Sequence, residues 1–296
     1  METETLSSCN LCKGAMLEVV DPVAELQGCR ECGYVFVNPR PTLRELTAYY
    51  SKPEKYDVWL SEEHARDRLW QRRVKKVRRH MKPGSLLDIG SGIGEFLFHA
   101  KGTFSEVFGT EISESAIAIA KEKYGLDLIR GDIETISFGR TFDNITLFHV
   151  LEHVPDPGAL LAKCWSLLNE EGVVFIAVPN DLLSMERRFR TVFHGLNNLG
   201  SGGRRLGASG LPKIALDSTV VEIHLSQFTR KTLRQALERF GFTIVSDSLD
   251  PYYAKSGRKL ILHRGYYLFH WILKSVLNIN RYNTIWMAAR KAALHS

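Results

Sequence analysis

The segment Leu86-Leu-Asp-Ile-Gly-Ser-Gly-Ile-Gly94 runs from an apolar strand into closely spaced glycines, and a helix follows near Glu95. Glycine suits a place where a ligand meets the backbone at the carboxyl edge of a sheet, because a Cβ would collide with it. Glu111 closes the next strand 21 positions after Gly90, close to the spacing at which a carboxylate accepts hydrogen bonds from an adenosine ribose. The pair predicts a nucleoside ligand. A dinucleotide fingerprint asks for glycine or alanine three residues beyond its second glycine, whereas Glu95 stands there and the third glycine is Gly94. A carboxylate beside a pyrophosphate repels it, which makes a nicotinamide dehydrogenase the weakest reading. Asp88, just before the first glycine, suits a ligand carrying an ammonium group.

A second constellation lies at the amino terminus, where Cys9-x-x-Cys12 and Cys29-x-x-Cys32 are separated by sixteen residues. That is the spacing of a tetrahedral zinc site, and four thiolates leave no open position for substrate, so the expected role is structural. Cys164 falls on an apolar helix face and is expected to be a small buried hydrophobe. The first ten residues, METETLSSCN, lack a basic region followed by an apolar run. No secretory signal is predicted, disulfides are disfavoured, and a cytoplasmic location is expected.

These groups need elements to position them. The chain has 296 residues, 44% hydrophobic and 24% charged, enough for a full core, which excludes a disordered or fibrous protein. The 39 basic and 33 acidic groups leave +6, too mild to prove a nucleic-acid or membrane partner. From Ser85 onward, short apolar runs alternate with helical periodicity, predicting strands at 85–89, 106–110, 126–130, 142–148, 173–178 and 242–248, with one more at 284–289. Asp156 caps a helix with Pro157 at its first position, and another helix starts at Thr229 and ends at Gly241. The organisation expected is a zinc-ribbon-like module over 1–40, a helical lid over 41–82 and an α/β domain over 83–296. In the lid, Arg72, Arg73, Lys75, Lys76, Arg78 and Arg79 crowd between apolar residues, the pattern of a solvated face.

Two insertions, 181–222 and 251–283, interrupt the alternation, the first carrying the Gly/Arg-rich run 200–207. In the second, Tyr266, Phe269 and Trp271 predict an amphipathic or fully apolar helix that covers an acceptor or touches a membrane. Its most apolar stretch, 265–273, falls far short of the ~20 residues of a spanning helix.

The strand-one motif at Asp88, Gly90, Gly92 and Gly94, followed by Glu111 and by Asp132 in Gly131-Asp-Ile-Glu134, resembles the cofactor half of class I S-adenosylmethionine methyltransferases. The segment Phe142–Pro157 and the run from His224 to Phe242 are similar to the ubiquinone-pathway-like, small-molecule branch. The resemblance implies an α/β, Rossmann-like doubly wound fold with a mostly parallel seven-stranded sheet. It implies S-adenosylmethionine as cofactor, contacted by Asp88, Gly90, Ser91, Gly92, Gly94, Glu111, Ile112, Asp132, Ile133 and His149, beside structural Zn2+ on Cys9, Cys12, Cys29 and Cys32.

The acceptor implied is a hydroxyl of a small molecule, glycan or lipid. In ubiquinone-type enzymes the segment matching His149, Glu152 and His153 helps bind a divalent metal, with glutamate at the position occupied here by His149. A hydroxyl acceptor must lose a proton, which histidine accepts near neutral pH. His224 is the expected base, with His149 as the second candidate.

An RNA methyltransferase is the alternative acceptor class. The Asn/Asp-Pro-Pro-aromatic motif of amino-directed nucleic-acid enzymes is missing, Glu152-His153-Val154-Pro155 standing in its place, and no Pro-Cys nucleophile is present. A non-catalytic cofactor-binding scaffold is the alternative of a different class.

Overall fold

The computed structural model describes residues 1–52, 56, 60, 63–189, 206–216, 222–251 and 257–292. Most of the Gly/Arg-rich run 200–207 lies outside the described residues.

Strand β10 (Leu168–Pro179) shows why the centre of the chain forms a buried sheet. Val174, Ile176 and Val178 pack into one hydrophobic cluster, and Val173, Phe175 and Ala177 into another. An apolar run buried on both faces is the signature of a sheet covered by helices on each side. Around it the strands β6 (Leu86–Ile89), β7 (Val107–Glu111), β8 (Ile129–Arg130), β9 (Phe142–Phe148), β12 (Phe242–Ser248) and β13 (Thr284–Lys291) order as β12-β13-β10-β9-β6-β7-β8. Only β13 runs antiparallel to its neighbours; the β10–β9, β9–β6, β6–β7 and β7–β8 pairs are parallel. This is the doubly wound, mostly parallel seven-stranded sheet expected.

The helices divide between the two faces. Leu160, Leu161 and Cys164 of α5 (Pro157–Leu167) and Leu233, Ala236 and Leu237 of α6 (Arg230–Arg239) join the first cluster. Val74 and Val77 of α2 (Glu63–Val77), Phe96 and Leu97 of α3 (Glu95–Ala100) and Ala120 of α4 (Glu114–Tyr124) join the second. Local signals set the helix ends as read from sequence. Asp156 accepts from the Ala159 N–H, and the Thr229 and Thr232 side chains form a reciprocal capping box.

The amino-terminal ribbon, β1 (Thr3–Glu4), β2 (Leu17–Asp21), β3 (Leu26–Cys29), β4 (Val35–Val37) and β5 (Arg40–Pro41), is stitched to the rest. The short strand β11 (Ser226–Gln227) pairs antiparallel with β4, so a strand from after the large insertion completes the ribbon's own sheet. Cys9, Leu11, Cys12, Cys29, Tyr34 and Phe36 share the first hydrophobic cluster with Leu151, Leu160 and Phe228. The Tyr34 hydroxyl bonds the Ser226 hydroxyl in this seam. Helix α1 (Leu43–Tyr50) follows the ribbon directly.

Two expectations change. The basic helix α2 is not simply a solvated face. Arg73 is fully buried and pairs with Asp250, while Arg66 donates to both oxygens of Glu95 at 2.8 and 3.0 Å. The aromatic segment of the second insertion does form a helix, α7 (Gly257–Leu277), but none of its residues lines the cleft described next.

Candidate active site

Parallel strands end on one edge of the sheet, and where neighbouring connections part in opposite directions a crevice opens. Here the chain leaves β6 toward β7 and β8, while β9 and β10 lie on the other side. A cleft of about 430 Å³ opens at that point, and Gly90, Ser91, Gly92, Glu111, Ile112, Asp132, Ile133 and His149 all line it. Gly90 sits in the left-handed region (φ 68°), and a Cβ there would approach Val150 Cγ2 to 2.6 Å.

Asp88 and Gly94 do not line the cleft. At Gly94 (φ 82°) an added Cβ would meet Leu126 Cδ1 at 2.6 Å, so this glycine serves the packing of α3 against α4 rather than a ligand. Asp88 points into the sheet, where its Oδ1 accepts from the Thr146 hydroxyl at 2.6 Å. The expectation that Asp88 meets an ammonium group is therefore corrected: its carboxylate is spent inside the protein.

Burial, reinforced by the Glu111 charge and opposed by the Thr146 hydrogen bond, pushes the Asp88 carboxyl up to about 7. The folded state thus prefers the protonated acid. The stabilisation is complete below the unfolded value near 4 and is lost as pH rises toward 7, on the order of 4 kcal/mol at ~1.4 kcal/mol per unit. Asp88→Asn should remove this dependence. Its melting temperature at pH 8 should exceed that of the parent, with the gap closing at pH 5; equal pH profiles for the two proteins would count against it.

Glu111 is held by three backbone amides. Its Oε2 accepts from Gly92 N at 2.8 Å and its Oε1 from Ile112 and Ser113 N at 2.8 and 2.9 Å. Burial raises its pKa and the amides oppose that. The glycine loop and the acidic residue read separately from sequence are thus one built unit.

The cleft is acidic: Glu4, Glu95, Glu111, Asp132, Glu134, Asp156 and Glu222 line it against two arginines, Arg40 and Arg66. Both arginines are committed, Arg40 to Glu4 at 2.7 Å and Arg66 to Glu95. Such a field favours a cationic ligand. Residues from the ribbon and from α1 to α2 also line the cleft: Glu4, Arg40, Leu43, Leu46, Tyr50, Tyr56 and Trp70. Sequence reasoning missed all of these, since nothing local marks a residue whose role is set by segments distant in the chain.

Beyond β9 the backbone turns sharply. His149 takes a left-handed conformation (φ 59°), uncommon for a residue with a Cβ and a recurrent mark of functional sites. Its Nε2 lies 2.9 Å from Arg73 Nη2. Arginine only donates, so this nitrogen accepts, and Nδ1–H faces Glu152 Oε1 at 3.2 Å. With both nitrogens engaged, His149 is a wall of the cleft and not a free base.

His224 also departs from expectation. Its Nδ1 lies 2.7 Å from Asp181 Oδ2 and its Nε2 3.6 Å from Glu222 Oε2. Burial works against a charge here, yet the hydrogen bond to Asp181 and the neighbouring Glu222 carboxylate outweigh it and hold the imidazole well above its usual value. His224 does not line the cleft, and carboxylates that favour its protonated form make it a poor proton acceptor. The carboxylates are drawn down in return, Glu222 to about 2 against the cost of burial.

His153 does line the cleft. Its Nδ1 donates to Ile223 O at 2.6 Å, which leaves Nε2 as the lone-pair nitrogen. Burial lowers its pKa despite the neighbouring Glu152, keeping it neutral.

Glu152, His153 and His224 bring ligand atoms within 4.8 Å of one another. The buried atoms Glu152 Oε2 and His224 Nε2 have no hydrogen-bond partner, and each imidazole is oriented through its Nδ1 by an oxygen. A carboxylate and two imidazoles so oriented fit a divalent cation, which would compete with the proton on His224. The set differs from the pattern implied by resemblance: His224 takes the place that position 149 would have filled.

The four amino-terminal cysteines also converge within 4.8 Å. Cys9 and Cys32 sulfurs are 3.8 Å apart and Cys12 and Cys29 sulfurs 3.5 Å, against about 3.8 Å for the edge of a tetrahedron with 2.3 Å metal–sulfur bonds. The residue after each pair, Lys13 or Gly33, takes a left-handed turn (φ 63° and 72°). The residues fit a zinc ion.

Comparison with known proteins accords with this geometry. A family described as a methyltransferase domain matches residues 62–247. The mitochondrial ubiquinone biosynthesis O-methyltransferase of Saccharomyces cerevisiae is 37% identical over 128 residues, covering 39% of this chain and 39% of that protein. The ubiquinone biosynthesis O-methyltransferase of Thiobacillus denitrificans is 29% identical over 102 residues, covering 32% and 44%. The chain thus spans less than half the length of these curated relatives. Among solved structures, magnesium protoporphyrin IX methyltransferase of Synechocystis with bound SAH gives a TM-score of 0.52 at 13% identity, covering 85% of this chain and 100% of that one. A chain of the complex between the Haloferax volcanii Trm112 methyltransferase activator and its methyltransferase gives 0.53 at 15%, covering 82% and 98%. At these identities the likeness is one of fold.

Proposed function

The chain belongs to the methyltransferase domain family matched by residues 62–247, and from that premise we propose that it binds S-adenosylmethionine in the acidic cleft and transfers the methyl group to a hydroxyl of a small molecule. The observation that carries this reading is Glu111, hung on the amides of Gly92, Ile112 and Ser113 at the mouth of the crevice. There it can accept from ribose hydroxyls while the surrounding carboxylates favour the sulfonium and ammonium charges. Gly90, Ser91, Gly92, Asp132 and Ile133 complete the cofactor wall. Similarity to the ubiquinone biosynthesis O-methyltransferases supports a hydroxyl acceptor.

The sulfonium is already a good leaving group, so the protein's work is largely alignment. Tyr50, Leu46 and Trp70 also line the cleft and would hold an acceptor's apolar body there, shielding the transfer from water. Glu152, His153 and His224 would hold a divalent cation, whose charge makes an acceptor hydroxyl more acidic. Cys9, Cys12, Cys29 and Cys32 would hold structural zinc.

Glu111→Ala should weaken S-adenosylmethionine binding by about 1.5–3 kcal/mol for each charge-assisted bond lost, and Glu111→Gln by less. Calorimetry showing the parent affinity in both would overturn the assignment. To test the acceptor class, the protein is incubated with methyl-labelled cofactor and a lysate whose small-molecule, lipid, glycan, RNA and protein fractions are counted. Label in the small-molecule fraction supports the reading. Label in RNA would reassign the acceptor, and no label anywhere with cofactor bound would make the chain a scaffold.

A further inference from the structure

Helix α7 packs inside out. Its inner side carries His270, fully buried, whose ring meets that of Tyr266 edge to face at 4.5 Å between centroids. Its outer side is apolar: Ile261, Leu262, Leu268, Phe269, Ile272 and Val276 fall within an arc of about 120° at 100° per residue. They are 70, 73, 54, 51, 49 and 74% exposed. An ordinary surface helix shows the reverse arrangement, and a contiguous exposed apolar face marks an interaction site.

The surroundings are charged in one sense. From Gly257 to Leu277 there is no acidic residue, while Arg258, Lys259, Arg264 and Lys274 are basic. Along one flank, α7 and α2 enclose a groove of about 500 Å³ lined by Arg72, Lys75, Lys76, Arg79 and Lys274 together with Tyr267 and Trp271. Some of these cations are engaged: Lys76 and Arg72 donate to the Leu249 and Pro251 carbonyls, and Lys274 donates to Asn278. The one lining carboxylate, Asp247, is covered by Arg230 at 2.5 Å and Arg234 at 3.0 Å; burial draws Lys76 down to about 7 and Lys274 below its usual value, so the groove's positive charge rests mainly on Arg72, Lys75 and Arg79.

We propose that α7 and the basic groove beside it dock the protein on an anionic lipid bilayer. The apolar arc would enter the acyl boundary, Trp271 and Tyr267 would lie at headgroup level, and the groove would take phosphate or carboxylate headgroups. The 21 residues of α7 extend about 31 Å at 1.5 Å each, and among the described residues no helix is long and apolar enough to cross a membrane. The helix therefore lies in the plane of the interface. A second copy is the poorer occupant, since an isologous contact here would bring the same basic groove and helix against themselves. The inference stands on α2 and α7 alone, independently of which acceptor is methylated.

The test is co-sedimentation of the full chain with vesicles of phosphatidylcholine containing a quarter phosphatidylserine, beside vesicles of phosphatidylcholine alone. The expected result is binding to the anionic vesicles that 0.5 M salt weakens at least tenfold. Phe269→Ser/Ile272→Ser should lose it at least tenfold, and Lys75→Glu/Arg79→Glu should lose both the binding and its salt dependence. All four positions are exposed or at the groove rim, and an unchanged melting temperature confirms folding. No binding to anionic vesicles overturns the proposal, as does binding unchanged in both variants. A concentration-dependent dimer abolished by Phe269→Ser/Ile272→Ser, without vesicle binding, would assign the face to a second copy instead.

Discussion

Cys9→Ser should yield a chain that no longer carries one zinc per molecule and that melts well below the parent. Structural zinc sites contribute on the order of 10–16 kcal/mol of apparent binding free energy, against a net stability of about 5–15 kcal/mol for a whole domain. Losing one of four thiolates therefore exceeds what the ribbon's few strands can replace. The damage should not stop at residue 40, because Cys9, Cys12 and Cys29 share a hydrophobic cluster with Leu151, Leu160 and Phe228, and β11 would lose its partner in β4. Metal analysis of protein purified without added zinc, together with thermal melts of parent and variant, decides the matter. A metal-free parent with a folded ribbon would end the zinc assignment.

The second large effect concerns turnover. His153→Ala should lower methyl transfer by roughly 10²–10⁴-fold, the scale for removing a group that handles the acceptor's proton or charge. S-adenosylmethionine affinity should change little, because the cofactor wall lies on the glycine-loop side. His153 is singled out because it lines the cleft, because Ile223 O fixes its Nδ1–H, and because burial keeps it neutral. Dialysis against a chelator should reproduce the loss in the parent, with recovery on adding a divalent cation. If chelation leaves the parent rate intact while His153→Ala still abolishes it, the imidazole acts alone as base and the cation is excluded from the reading. Rates unchanged in His153→Ala would remove the cluster from the reaction.

The strands and the cofactor loop were legible in sequence because their causes are local. Apolar residues on β6, glycine at the left-handed turn of residue 90, and Asp156 capping a helix that opens with Pro157 are short-range necessities. The acid–base assignment was not legible in the same way. Whether a histidine is a base depends on its neighbours' charges, and His224 meets Asp181, 43 positions earlier in the chain. Arg73 is a similar case: amid five other cations it reads as solvated, and only the return of the chain to Asp250, 177 positions on, makes it a buried pair. Asp88 illustrates the converse, a motif residue at the expected place whose side chain is turned inward to Thr146.

The pairing of β11 with β4 has a consequence for descent. Because the ribbon supplies Glu4 and Arg40 to the cleft wall and takes its last strand from residues next to His224, it does not behave as an interchangeable cassette. A chimaera carrying a relative's first forty residues would import a foreign substrate wall along with a foreign set of thiolates. Changes in what the cleft accepts and changes in how the ribbon folds are therefore inherited together, and drift in either is constrained by the other.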